Sequence, residues 1–143
     1  MERCCCGFGH KEIYENIYLR LEEEAENAIK SGITVFLTGG MGSFDAKFSS
    51  VVYKLKSKHK NIKLILVRPY YSNKINEYCK EWYDEIIIPG IADGAFYKSA
   101  IIKRNKWMIE KSERCIFYVK REYGGAYTAL KYAEKEHKTI IKI

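Results

Sequence analysis

Along the chain, short apolar runs alternate with longer stripes in which apolar residues recur every three or four positions. A short run bounded by turn residues reads as a buried strand, and a stripe reads as one face of a helix. Strands are predicted over Arg3 to Cys6, Thr34 to Leu37, Leu64 to Val67, Glu85 to Ile88, Cys115 to Val119 and Thr139 to Ile143. Ile13, Ile17, Leu21, Ala25 and Ala28 mark a first helix, stopped by Gly32. Phe48, Val51, Val52 and Leu55 mark a second, with Ser43 placed to cap it. Ile101, Ile102, Met108 and Ile109 give a third stripe, Ala126, Ala129, Leu130 and Ala133 a fourth, and a shorter helix is expected from Ser72 to Trp82.

This alternation predicts an α/β fold: a doubly wound, mostly parallel sheet with helices on both faces. The expected strand order is 3-2-1-4-5, with the last strand at or near an edge. The 143 residues suit one hydrophobic core, so a single domain over residues 1–143 is expected.

Parallel strands joined by right-handed crossovers bring their carboxyl ends to one edge, where ligands bind. Three junctions on that predicted edge carry glycine. Gly7-Phe8-Gly9-His10-Lys11 follows the first strand, Thr38-Gly39-Gly40-Met41-Gly42-Ser43 the second, and Gly124-Gly125-Ala126-Tyr127-Thr128 the fifth. Glycine admits close backbone approach, and a following helix N-terminus offers free N–H groups and positive potential, which suits a phosphate. A tight turn is the alternative for any single junction. No Walker-type Gly-Lys-Ser/Thr is present, which disfavours nucleotide hydrolysis of that kind.

Asp45, in the first turn of the second helix, is placed to accept ribose hydroxyls or to interact with the helix dipole. Arg104 lies one turn before Met108, so its guanidinium is expected at the ligand edge or in an exposed ion pair. His10 is a candidate phosphate donor or general acid. Phe8, Phe96 and Tyr127 are candidate stacking groups, whereas Tyr14, Tyr18, Tyr53 and Tyr132 are expected to pack on helices at the core edge. Pro89 to Phe96 reads as a lid or an irregular surface loop.

The formal charge of +7 favours an anionic partner, and nucleic acid falls within that class. The lysines are spread along the chain, however, which favours a solvated helical exterior over a dedicated nucleic-acid face. Five cysteines, three of them adjacent at Cys4, Cys5 and Cys6, are poorly spaced for disulfides and are expected to stay reduced in the cytosol. No Cys-x₂-Cys pair accompanies His10, His59 or His137, so no metal site is expected, and no separate cofactor. No apolar run approaches the ~20 residues of a membrane span, and no leader pattern is seen at the N-terminus, so neither membrane insertion nor secretion is expected.

At these same residues the chain resembles the YpsA-like family of the SLOG superfamily, a Rossmann-like group that includes lonely-guy-type phosphoribohydrolases and DNA-processing proteins. Gly9-His10-Lys11 is similar to the family's Gly-His-Arg turn, with lysine in place of arginine. Phe36 to Asp45 is similar to its second-strand glycine motif, and Arg104-Asn105-Lys106-Trp107-Met108 with Ser112 to its helix motif. Tyr118 to Thr128 and Tyr132-Ala133 extend the resemblance over almost the whole chain. It implies a nucleotide-derived ligand at the glycine junctions, with Arg104 nearby, and is compatible with a homodimer. The hydrolases carry Pro-Gly-Gly-x-Gly-Thr followed by a glutamate. Here Tyr123-Gly124-Gly125-Ala126-Tyr127-Thr128 lacks the proline and third glycine, and Leu130 and Lys131 stand where the carboxylate is expected.

Three functions follow. The first is a binding module for a nucleotide or nucleotide-derived molecule, of NAD or ADP-ribose type. The second is a nucleoside-phosphate N-glycosidase using Asp45 or Glu110 as the carboxylate. The third is a nucleic-acid-binding accessory domain.

Overall fold

The computed structural model describes residues 2–70, 80–90 and 97–143. Six strands form one wholly parallel sheet: β1 (Cys4–Gly9), β2 (Val35–Thr38), β3 (Lys63–Val67), β4 (Glu85–Ile87), β5 (Arg114–Tyr118) and β6 (Thr139–Lys142). Among the described residues four α-helices cover it: α1 (Tyr18–Lys30), α2 (Ser43–Leu55), α3 (Tyr97–Lys111) and α4 (Gly125–Lys135).

The spatial order is β4-β3-β2-β1-β5-β6. This corrects the expected order, in which the fourth strand was to lie beside the first. Instead β4 pairs with β3 at the sheet edge, Ile65 opposite Glu85, and β5 takes the place beside β1, Cys6 opposite Cys115. The chain winds outward from β1 through β4, then crosses back to β5 and winds the other way. The winding reverses between β1 and β5, where the crevice of a doubly wound sheet opens.

Alternate residues of β1 face opposite layers. Cys5 packs with Leu21, Phe44 and Phe48 on the α1/α2 side, and Cys6 and Phe8 pack with Met108, Phe117 and Leu130 on the α3/α4 side. Each of these large apolar side chains contributes roughly 1.5–3 kcal/mol by leaving water. β1 runs through Gly9, three residues beyond its expected end, so Gly7 lies inside the strand. A Cβ at Gly7 would lie 2.6 Å from the Phe48 ring, and one at Gly9 would overlap Phe44. Both glycines thus seat α2 against the sheet.

Other differences are local. Ile13 precedes α1, and Ile17 occupies its N-cap position. Tyr14 is 91% exposed and outside any helix, not packed at the core edge as expected. Most of the expected Ser72–Trp82 helix lies outside the described residues, and its end, Lys80–Trp82, is a 3-10 turn. Ile91 to Phe96, the bulk of the expected lid and its stacking candidate Phe96, also lie outside them. No described helix is long and apolar enough to cross a membrane.

Candidate functional site

A cleft of about 320 Å³ opens at the carboxyl edge, over the reversal between β1 and β5. Of the residues read from sequence as binding, Gly9, His10, Lys11, Gly39, Asp45, Arg104, Gly125 and Ala126 line it. Gly7, Thr38, Gly40, Gly42, Ser43, Gly124 and Thr128 belong to the surrounding backbone and do not line it.

The turn after β1 is held from both sides. His10 is buried, and its Nε2 accepts the Lys120 backbone N–H at 2.9 Å, which ties this turn to the segment after β5. Burial first, then the charges of Arg121 and Lys120, hold its pKa below the ordinary histidine value. A neutral ring accepting at Nε2 carries its proton on Nδ1. In this geometry His10 positions backbone, and its Nε2 is not a donor to a ligand. No helix starts directly after this turn, since α1 begins only at Tyr18, so no helix N-terminus backs it.

The second junction is filled by the chain itself. Gly42, not Ser43, occupies the N-cap position, and no side-chain cap is formed. The N–H groups of Ser43 and Phe44 instead donate to the carbonyls of Lys11 and His10, at 2.8 and 3.3 Å. The Met41 N–H donates to Asp45 Oδ2 at 2.8 Å, and the Gly40 N–H points to Thr38 Oγ1 at 3.4 Å. The donors expected to receive a phosphate here are largely occupied. Desolvation raises the Asp45 pKa, opposed by the Met41 N–H and by the charge of Arg104.

Arg104 is only 3% exposed, neither an exposed ion pair nor a free guanidinium. Met108, one turn on, is fully buried beneath it. Nη1 donates to the carbonyls of Val67 (2.8 Å) and Gly39 (3.2 Å), and Nε donates to Asn105 Oδ1 (2.8 Å). Nη2 faces the Met41 sulfur at 3.4 Å. The guanidinium thus pins the ends of β2 and β3 together. All these acceptors are uncharged. Asp45 is near enough to act on it through space, but no described carboxylate forms an ion pair with it.

The third junction is open. Gly124, with φ of 94°, precedes α4, and among the described residues nothing accepts from the N–H groups of Gly125 and Ala126. A Cβ on Gly125 would meet nothing within 4 Å. Thr128, a turn further on, donates its hydroxyl to the Gly124 carbonyl at 3.0 Å and closes the first turn.

The structure adds lining residues that sequence reasoning did not single out: Met41, Ile101 and Arg121, together with Asn105. Ile101 lies three residues before Arg104 and four before Asn105, helical spacings that were available as a signal. Arg121 sits in the loop after β5, where only the fold shows which way it faces. Phe8, read as a stacking candidate, is largely buried and stacks on Phe117, ring centroids 5.6 Å apart, although it reaches the cleft floor. Tyr127 lies on the other face of α4. Glu110 is exposed, accepts from the Tyr132 hydroxyl at 2.9 Å, and does not line the cleft. Asp45 is the one carboxylate among the lining residues, against Lys11, Arg104 and Arg121. Among the described residues no cluster of three metal-ligating side chains occurs.

Solved structures share this architecture. DNA processing protein A from Streptococcus pneumoniae superposes with a TM-score of 0.74 at 12% identity, covering 99% of this chain and 50% of that one. DNA processing protein A from Helicobacter pylori, described for its single-stranded DNA binding mode, gives 0.72 at 15%, covering 98% and 64%. The present chain therefore spans only half to two thirds of those proteins. The molybdenum cofactor carrier protein of Chlamydomonas reinhardtii gives 0.60 at 16%, covering 99% and 76%. In sequence, the SPbeta prophage-derived protein YoqJ of Bacillus subtilis is 31% identical over 120 residues, 71% of this chain and 70% of that protein. The YpsA family model, described as the YspA SLOG family, matches residues 8–143. Because that match runs from β1 to the end of β6 and beyond, over nearly the whole chain, the chain belongs to the YspA SLOG family.

Proposed function

We propose that the cleft binds a nucleotide or nucleotide-derived small molecule through a phosphate group, as a recognition module and not as a hydrolase. The observation that carries this reading is Arg104: a buried guanidinium with only uncharged acceptors, on the wall of a cleft whose other side offers the open N–H groups of Gly125 and Ala126. A buried charge that forms no direct ion pair is costly, and an anion in the cleft offsets that cost. The α4 N-terminus adds its own positive potential at the same place. Neighbours described for single-stranded DNA binding and as a molybdenum cofactor carrier support a binding role for this fold.

The glycosidase reading has less support. Leu130, at a position expected for the hydrolase carboxylate, is buried in the core, and Lys131 faces away from the cleft. Asp45 is left as the group that meets ribose hydroxyls. The spacing of Cys4, Cys5 and Cys6, poor for disulfides, supports a cytosolic setting, and the family resemblance supports a homodimer, which light scattering tests directly.

Calorimetric titration with AMP, ADP, ADP-ribose, NAD and adenosine, with chromatography of each mixture, tests the main reading. The expected result is saturable binding of at least one phosphate-bearing compound, adenosine at least tenfold weaker, and no released base. Equal affinity for adenosine and its phosphates, or no binding by any of them, overturns it. Released base transfers the function to the glycosidase class.

A further inference from the structure

A second groove, of about 360 Å³, lies across the β5–α4 turn from the cleft, and Arg121 borders both. Lys120, Lys131 and Lys142 line it with Arg121, against the carboxylates of Glu122 and Glu134. Three of its cations are set over aromatic rings. Arg121 lies 4.8 Å from the centroid of Tyr123, which is 67% exposed, and Lys131 lies 5.6 Å from that of Tyr127. Lys120 sits 5.0 Å over Tyr118 and donates to the Ile143 carbonyl oxygen at 3.0 Å. Lys131 pairs with Glu134 at 3.4 Å, whereas Lys142 has no ion pair among the described residues.

An isolated phosphate needs no aromatic ring. Four cations along an open groove, with the partly exposed Tyr127 in its wall and the exposed Tyr123 beside Arg121, suit a ligand that repeats a phosphate and a planar base, because bases stack on rings and guanidinium planes while the backbone meets the cations. We infer that cleft and groove together form a path for single-stranded nucleic acid, one nucleotide in the cleft and the adjoining phosphodiesters crossing Arg121 into the groove. This inference rests on the nucleotide-binding reading of the cleft and extends it to a polymer.

Fluorescence anisotropy with a labelled thymidine octamer, beside calorimetry with TMP, tests it on the full chain. Lys131 and Lys142 are both exposed, so Lys131→Ala/Lys142→Ala keeps the fold, which circular dichroism checks. The octamer is expected to bind at least tenfold tighter than TMP. The double variant is expected to weaken octamer binding at least tenfold, lower its salt slope by roughly 1.4, the share of two single-strand phosphate contacts, and leave TMP unchanged. An octamer no tighter than TMP, or an unaffected double variant, overturns the groove while leaving the cleft reading intact. Octamer binding that depends on the two lysines without any TMP binding keeps the groove and removes the mononucleotide cleft.

Discussion

Gly39 is a glycine because of Arg104: a Cβ at that position would lie 2.8 Å from both Cζ and Nη1 of the guanidinium. The missing side chain lets the guanidinium lie against the end of β2 and reach the carbonyls of Gly39 and Val67. Arg104 is therefore part of the scaffold as well as of the cleft. Arg104→Ala is expected to lower stability by about 1–3 kcal/mol for each buried carbonyl it leaves unpaired, and to abolish ligand binding in the remaining folded protein. Arg104→Lys restores only part of either loss, since an ammonium cannot span the same acceptors. Urea unfolding with calorimetry checks both, and an Arg104→Ala variant of native stability would show that the carbonyl contacts contribute nothing.

Two glycines on the same edge are expected to respond in opposite ways. Gly125→Val places its branches in open space beside the free N–H groups, so fold and stability stay near native while nucleotide binding falls at least tenfold. Gly40 has φ of 66°, and a Cβ there would stand 2.5 Å from Leu66 Cδ1. Gly40→Val is therefore expected to cost at least about 2 kcal/mol of stability from backbone strain and overpacking. Thermal melts beside titrations separate the two, and a native-like melt for Gly40→Val would contradict its structural role.

The lowered pKa of His10 makes a signed prediction. Between the folded value and the ordinary one, the unfolded chain holds a proton that the folded chain does not, so stability rises with pH. This contribution is fully present above the ordinary histidine range and is lost as pH falls through the lower folded value. Unfolding measured across that window is expected to show the loss in the wild type and its absence in His10→Phe. A long-range ¹⁵N–¹H spectrum at pH 7 is expected to show the Nδ1–H tautomer, and a protonated imidazolium there would rule out acceptance from Lys120.

Cys5, Cys6 and Cys115 have no exposed surface, while Cys4 is partly buried. Burial pushes the Cys5 and Cys6 thiols well above the ordinary range, which removes the reactive thiolate. In a Cys79→Ser background, which removes the cysteine outside the described residues, Ellman's reagent is expected to modify one thiol quickly in the native protein. The other three are expected to react only as the chain unfolds. Fast release of more than one equivalent would place β1 closer to solvent than its packing allows.

Much of this molecule is written in local pattern. Whether residues alternate or recur at helical spacing is a property of a few neighbours, so all six strands and the four main helices were legible, along with the glycines that end up on one edge. The odd face of β1 shows the limit. Cys5, Gly7 and Gly9 face α2, and only the approach of Phe44 and Phe48 shows that Gly7 and Gly9 serve packing. Likewise, the resemblance set Arg104 near the ligand, but its grip on two carbonyls depends on β2 and β3 lying side by side. The place of β4 beside β3, and of β5 beside β1, depends on which layer each connection crosses. A strand's apolar pattern is the same whichever neighbour it pairs with, so the sequence by itself determined the elements and their edge. Tertiary packing alone decided the strand order, the filling of the second junction by the chain's own carbonyls, and the opening of the third.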